Sequence, residues 1–345
     1  MFPVTEIGMS LGWSHREPVD RMIRLVQEAE SAGVATCWVI DSQLAMRDAF
    51  ALLTLLTRET SRIRLGPGVT NLITRHLTVV ANAVVTLRSL APGRILAGIG
   101  AGDSAVYPIG LKPHSIDQLR TGIEGLRALL SGQATDSASG AVRIAGAEGP
   151  AEPIYLAASQ PRMLQLAGAA ADGVIIMGPA HPDIQRTQIQ QVDQGATDAG
   201  RAPDEVFRDV WVTMAVDGEE RGVDSVRSWA SAQARWLSKW EHLPAGLRPY
   251  QQEMRQAAET YDFEQHLSLS ADHAGVISDE LAASLAVVGD VEECARRIRE
   301  IVDLGVDRIT VSLLSGGRER RLHDLLAVWE AAELGASAGS RGGLA

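Results

Sequence analysis

The chain has 345 residues, a formal net charge of −11 and 46% hydrophobic residues. That length holds one barrel-sized domain or two average ones, with a large core. The acidic balance, without a Lys/Arg run, argues against nucleic acid or an anionic membrane as partner. No apolar run approaches the roughly 20 residues of a membrane span. Cys37 and Cys294 offer neither a disulfide framework nor metal spacing. The N-terminus lacks the basic-then-apolar pattern of a signal peptide. A cytoplasmic protein is expected.

Val4–Ser10 reads as the first strand. Pro18–Ala32 follows as a helix, with Val19, Met22, Ile23, Val26 and Ala29 at helical spacing and Gly33 at its C-terminal end. Thr36–Ile40 is a short apolar strand of the kind buried on both faces. Asp48–Thr57 is the next helix, Ile63–Gly68 the third strand and Leu77–Leu90 its helix, with His76 at the start. After a Pro92-Gly93 turn, Arg94–Ile99 reads as the fourth strand, followed by helix Ser115–Leu130. The Ala/Gly/Ser-rich residues 131–152 read as a surface excursion.

Pro153–Ala157, Gly173–Met177, Val210–Val216 and Arg308–Leu314 read as strands five to eight, with helices between them. Before the last, Val291, Cys294, Ala295, Ile298, Ile301 and Val302 form a helical stripe, with Asp290 and Glu293 at its start as a cap. Alternating helices and apolar strands imply a parallel sheet. Eight strands suit a (β/α)₈ TIM barrel; a doubly wound sheet is the alternative. Residues 225–288 break the alternation and read as an insertion between strands seven and eight that caps the substrate side. Trp229, Trp236 and Trp240 within it read as insertion core. The expected domain spans 1–334, with 335–345 a flexible tail.

In a barrel of parallel strands the C-terminal strand ends open onto one face, where active sites sit. Asp41-Ser42-Gln43, Gly68-Val69-Thr70-Asn71 and Gly100-Ala101-Gly102-Asp103 follow strands two, three and four and would meet there. Glycines suit close approach of a flat ligand to the backbone. Gly98-x-Gly100-x-Gly102 invites a dinucleotide reading, but the fingerprint needs glycine where Asp103 stands. Ala158-Ser159-Gln160 leads into a helix with Pro161 at its start. Its free N–H groups, with Gly178 after strand six, suit a phosphate. Trp13 and His15 after strand one, with Ser42, are the expected substrate-pocket residues. No metal motif is present, and Cys37 reads as inert core.

The stretch LGPGVTN…TRH…PGR…GIGAGD at 65–103 resembles the bacterial luciferase-like superfamily. So do WVIDSQ at 38–43, PIYLAAS at 153–159, ADGVIIMG at 171–178 and GDVEECARRI at 289–298. The branch it resembles includes methylenetetrahydromethanopterin reductase and other deazaflavin (coenzyme F-420) oxidoreductases. The resemblance implies a TIM barrel that transfers a hydride between reduced deazaflavin and a small organic substrate. It implies a bulge with a cis peptide between Gly68 and Val69, pressing on the ring and holding it bent. Asp41 and the Gly100–Asp103 loop would flank that ring, and Asp103 or Asp41 would move a proton. The loops at Ala158–Gln160 and Gly178 would hold the cofactor's phosphate. Two departures stand out. Ser42 occupies the place of a histidine in the sugar-phosphate and alcohol dehydrogenases of the group, and Gln160 replaces a common glycine. The alternative is an FMN-dependent monooxygenase of the luciferase-like type, served by a separate flavin reductase. The expected partners are otherwise a small-molecule substrate and a second copy of the chain.

Overall fold

The computed structural model describes residues 5–137, 139–218, 221–241, 243–260, 275–313 and 317–334. The expected tail, 335–345, and the outer ends of the first and last expected strands, Val4 and Leu314, lie outside them. In chain order the strands are β1 (Glu6–Leu11), β2 (Thr36–Val39), β3 (Arg64–Pro67), β4 (Thr70–Asn71), β5 (Ala97–Gly100), β6 (Thr135–Ser137), β7 (Gly140–Val142), β8 (Ile154–Ala158), β9 (Gly173–Met177), β10 (Phe207–Val212), β11 (Met214–Val216), β12 (Val287–Gly289) and β13 (Arg308–Leu313). The helices are α1 (Val19–Ser31), α2 (Ala49–Glu59), α3 (Leu77–Leu90), α4 (Ile116–Leu130), α5 (Pro161–Ala170), α6 (Pro182–Asp198), α7 (Gly222–Leu237), α8 (Gln251–Thr260), α9 (Asp279–Leu285), α10 (Val291–Val302) and α11 (Arg318–Ala331).

The main sheet runs β3-β2-β1-β13-β10-β9-β8-β5-β4, all parallel. β3 and β4 are two halves of one stave, separated only by Gly68 and Val69. A parallel bridge between Leu65 and Ile95 joins that stave to the one carrying β5. Leu65 donates to the Arg94 carbonyl (2.8 Å), and Leu96 donates to Leu65 (2.9 Å). The ring therefore closes as eight staves, which excludes the doubly wound sheet.

The expected strand over Val210–Val216 is in fact two. β10 begins earlier, at Phe207, because its inward residue Asp209 is neutralised inside the barrel and hides the strand from a hydropathy reading. Beyond Thr213 the chain leaves the barrel: β11 pairs in parallel with β12 outside it. The insertion follows β11, and its first helix starts at Gly222 rather than 225. The insertion has its own small core of Leu237, Leu247, Met254, Leu281 and Leu285. Arg297 staples it to the barrel, donating to the carbonyls of Ala283, Ala286 and Ala180. Residues 131–152 form a surface excursion that carries the β6–β7 hairpin. No described helix is long and apolar enough to cross a membrane.

Strand alternation sends Cys37 and Val39 outward to the helices and Trp38 inward. Burial pushes the Cys37 thiol pKa up, as an inert core cysteine requires. Trp38, Tyr155, Ile175 and Trp211 fill the barrel interior. Below them Asp209 and Arg308 pair at 3.0 Å, both with fully buried side chains. Trp38 Nε1 (2.9 Å) and Thr310 Oγ1 (2.7 Å) donate to the same carboxylate. Arg308 also stacks on Phe207 at 4.6 Å and donates to Glu6 at 3.2 Å.

This interior explains most of the glycines that seemed kept for a ligand. A Cβ at Gly68 would lie 2.5 Å from Trp38 Cβ and 2.9 Å from the tip of Trp211. At Gly66 it would lie 2.6 Å from the Leu96 carbonyl, and at Gly98 it would strike the Pro67 carbonyl and Trp38. The missing side chains of the third and fourth staves make room for two indoles.

Candidate active site

Four loops meet at the C-terminal mouth. After β2, Asp41 is 6% exposed and its oxygens are committed. Arg75 grips it through Nε (2.8 Å) and Nη2 (3.0 Å), and Thr70 donates at 2.6 Å. Arg75 reaches on to Asp48 (2.7 Å), so two carboxylates hold one guanidinium. With Thr70 and Arg75 engaging both its oxygens, Asp41 stands in a positioning role rather than as a free acid. It serves to fix the bulged stave at Thr70. Asn71 is likewise turned inward on the chain, accepting from Ile73 N (3.0 Å) and Thr74 N (2.8 Å). Ser42 lies 3.4 Å from Ser104, and Gln43 donates to the Ala105 carbonyl (2.6 Å). The loops after β2 and β5 are thereby hydrogen-bonded to each other.

Between β3 and β4 the Gly68–Val69 peptide is cis. Val69, Ala157 and Met177 stand on the aromatic interior layer. Gly100 faces Val69, 2.7 Å from Val69 Cγ2 to an added Cβ. Ser10 and Ser312 hydrogen-bond at 3.0 Å in the same upper layer. The mouth thus has a floor of small side chains with Val69 raised in it. Gly102 adopts φ 88° and lets the chain turn over Val106, so its glycine is required by the backbone.

On the β8–β9 side, α5 and α6 both begin with proline and neither N-terminus has a side-chain cap. The helices pack closely: a Cβ at Gly168 would strike Val192 O, and one at Gly195 would strike Gln165 O. A helix N-terminus is electropositive. The α5 N-terminus directly follows Ala158, Ser159 and Gln160, and the α6 N-terminus begins at Pro182, shortly after Gly178. Behind them Gln188 donates to the carbonyls of Ser159 (3.2 Å) and Met177 (3.4 Å). Its Oε1 and both amide atoms of Gln185 are buried without a partner among the described residues, an unusual state for polar groups. Gly178 is glycine because an added Cβ would lie 2.6 Å from Gln188 Oε1.

Across the barrel from the bulge, β10 and its neighbours line a cavity with Met177, Trp211 and Thr213, closed above by Trp229, Gln233 and Trp236 of α7. Sequence reading placed these tryptophans in the insertion core. Only Trp240 belongs there. The missed signal is the spacing Trp229–Gln233–Trp236, one helix face interrupted by an amide that an apolar core would not include. Asp103 stands exposed in the loop after β5. The surrounding atoms raise its carboxyl pKa above the ordinary range, against the pull of Arg235 of α7 and Lys239 just beyond it.

Two substrate-pocket expectations change. Trp13 is wholly buried in the main core, with its indole N–H on the Pro18 carbonyl (3.2 Å) and Arg318 over its ring (4.6 Å). No face remains for a ligand. His15 stands exposed after β1, outside the cavity, where its carbonyl accepts from Arg47. His76 caps α3, its Nδ1 accepting from Thr78 N. No cluster of metal-ligating side chains occurs among the described residues.

A closed parallel barrel with one bulged stave, and with its polar loops gathered at the C-terminal mouth, is the frame of a barrel enzyme. The family model of luciferase-like monooxygenases matches residues 3–308, and the chain belongs to that family. Among curated relatives it is 27% identical to the 5,10-methylenetetrahydromethanopterin reductase of Methanolobus tindarius, over 90% of this chain and 95% of that one. It is 27% identical to the F420-dependent glucose-6-phosphate dehydrogenase of Nocardia farcinica, over 80% of each. Among solved structures, the coenzyme F420-dependent tetrahydromethanopterin reductase of Methanopyrus kandleri superposes with a TM-score of 0.72 at 22% identity. That match covers 94% of this chain and 97% of that one.

Proposed function

We propose that this protein is an oxidoreductase that uses coenzyme F-420 to exchange a hydride with a small organic substrate. The observation that carries the reading is the mouth itself. A floor of small side chains with Val69 raised in it lies beside two uncapped helix N-termini backed by unpartnered amides. A flat ring fits the first feature and a phosphate-bearing tail the second. The relatives' names supply the chemistry, since both curated relatives described above are named for reduction or F-420 dependence.

The deazaflavin supplies the hydride chemistry when bound. The chain's residues bind, orient and exclude water. Val69 and Gly100 support the ring. Asp41 and Arg75 hold the loop that carries Thr70. Ser159, Gln160 and Gly178 present backbone N–H groups to the phosphate. Asp103, with its raised pKa and solvent access, moves a proton at the open side of the ring. Ser42 in place of histidine makes alcohol oxidation by a histidine base at that position unavailable.

The test is absorption spectroscopy of the protein titrated separately with F-420 and FMN. Saturable binding of F-420, with anaerobic turnover, supports the proposal. Binding of FMN alone, with oxygen-dependent turnover and a separate flavin reductase, replaces it with the monooxygenase reading. The same proposal carries a cytoplasmic location and a homodimer, the latter checked by analytical ultracentrifugation.

A further inference from the structure

Two loops of the mouth end alike. Ser159-Gln160 runs into Pro161, and Met177-Gly178 runs into Pro179. Proline has no N–H. Gln160 N and Gly178 N are therefore the last donors of their loops before a proline, and neither donates to a backbone carbonyl among the described residues.

Gln188 ties the two loops together from behind. It lies on α6, which packs on the outside of β9 and against α5, and it is 1% exposed. Its Nε2 donates to Ser159 O at 3.2 Å and to Met177 O at a longer 3.4 Å. One amide nitrogen carries two hydrogens, so it can serve both carbonyls. Carbonyls only accept, which fixes Nε2 on this side and leaves Oε1 without a partner among the described residues. An apolar side chain would fill the place without that orphaned oxygen. What glutamine adds is the bridge. Its amide also takes the space of a side chain at Gly178, where an added Cβ would lie 2.6 Å from Oε1 and 2.8 Å from Nε2.

The bridge sets a direction. In a trans peptide the C=O and the following N–H point to opposite sides. The cis bond among the described residues is elsewhere, at Gly68–Val69. With Ser159 O and Met177 O drawn toward α6, the N–H groups of Gln160 and Gly178 turn away from it, toward the barrel axis.

We propose that Gln188 is the positioning residue of the phosphate site. Its amide holds two peptide planes so that both N–H groups face one anion. The inference rests on the proposed function for the identity of that anion.

The test is Gln188→Met, which keeps the length of the side chain and removes its donor. Dissociation constants for the full chain are read by absorbance, for F-420 and for the deazaflavin riboside that lacks the phosphate and tail. The expected result is about tenfold weaker F-420 binding with riboside binding unchanged. Gln188→Glu, whose carboxylate can donate to neither carbonyl, should weaken F-420 at least as much. Equal loss for both ligands would make Gln188 a packing residue, and unchanged F-420 binding would remove the bridge from the site. Either overturns the inference. A second readout needs the parent alone: the Gln160 and Gly178 amide protons should move downfield in NMR spectra on adding F-420 or inorganic phosphate. No movement with either ligand overturns the inference, whether or not the variants fold. If the parent binds neither deazaflavin, yet inorganic phosphate moves both amides in the parent and not in Gln188→Met, the proposed function falls and this inference stands.

Discussion

The lower barrel and the mouth treat polar groups in opposite ways. Below, Asp209 is fully buried and surrounded by Arg308, Thr310 and Trp38, every oxygen engaged. Above, Gln185, Gln188 and Gln233 carry buried amide atoms that no described residue satisfies, and the N-termini of α5 and α6 have no side-chain cap. Buried polar groups in a stable fold are partnered. The Asp209–Arg308 cluster obeys that rule as architecture, whereas the three glutamines gather unpartnered amide atoms at the mouth; lower down only single atoms such as Thr36 Oγ1 and Arg208 Nε depart from it among the described residues. Acidic residues divide in the same way: Asp209 and Asp41 are locked in ion pairs, whereas Asp103 faces solvent with its pKa raised.

If that contrast is right, disturbing the lower barrel should cost stability and little specificity. Arg308→Met would leave Asp209 buried and unpaired, at a cost of about 3–5 kcal/mol. The expected outcome is a large fall in the urea midpoint, partly restored by adding Asp209→Asn. A midpoint within error of the parent would remove the ion pair from the architecture. Gly98→Ala is next. The added methyl meets the Pro67 backbone carbonyl and Trp38, and backbone cannot swing aside. Overpacking of this kind costs about 1–3 kcal/mol. Thermal unfolding should show the loss before any change in cofactor affinity appears. The reverse order would return Gly98 to the ligand.

How far these two regions could be read in the sequence differs for physical reasons. The eight staves were legible because strands buried on both faces are apolar throughout, and the helix stripes because one face repeats every turn. β10 was misjudged because its inward Asp209 is neutralised by Arg308, nearly a hundred residues away. The glycines of 66–100 were legible as close approaches but not as to what approaches: an indole from a neighbouring stave resembles a cofactor ring in its demands. Asp41 was legible as a residue of the mouth, while its engagement by Arg75 depends on a loop fold that spacing does not reveal. Trp229 and Trp236 were visible but assigned to the wrong side of their helix, since periodicity defines a face without naming its neighbour.

At the mouth, substitutions should spare the fold and change binding. Gly178 is a poor probe, because any side chain there meets Gln188 before it meets a ligand. Ser159→Glu is sharper, since it places a carboxylate where the two helix N-termini would otherwise receive a phosphate. The proposal expects the F-420 Kd to rise about thirtyfold, near 2 kcal/mol, with the melting temperature held or slightly raised. An unchanged Kd would move the phosphate elsewhere.

The smallest expected effect belongs to Asp103→Asn, and it separates a proton-handling residue from a structural one by two readouts. Turnover should fall about tenfold with F-420 affinity unchanged, below the usual range for general acid–base catalysis because water reaches the carboxyl. Stability should move the other way. Desolvation by the protein atoms around its exposed carboxyl raises the folded-state pKa of Asp103 above its ordinary 3.8, so the folded state holds that proton more tightly than the unfolded chain. The stabilisation from protonation is complete below the unfolded pKa and is lost as pH rises through the folded one. At pH 7 the parent therefore carries a partly desolvated charge that asparagine lacks. The variant should melt slightly higher there, and the difference should shrink toward pH 4. A variant that melts lower at pH 7 would mean that Arg235 and Lys239 stabilise the charged carboxyl by more than desolvation opposes it, and Asp103 would then belong with the locked acids of the lower barrel.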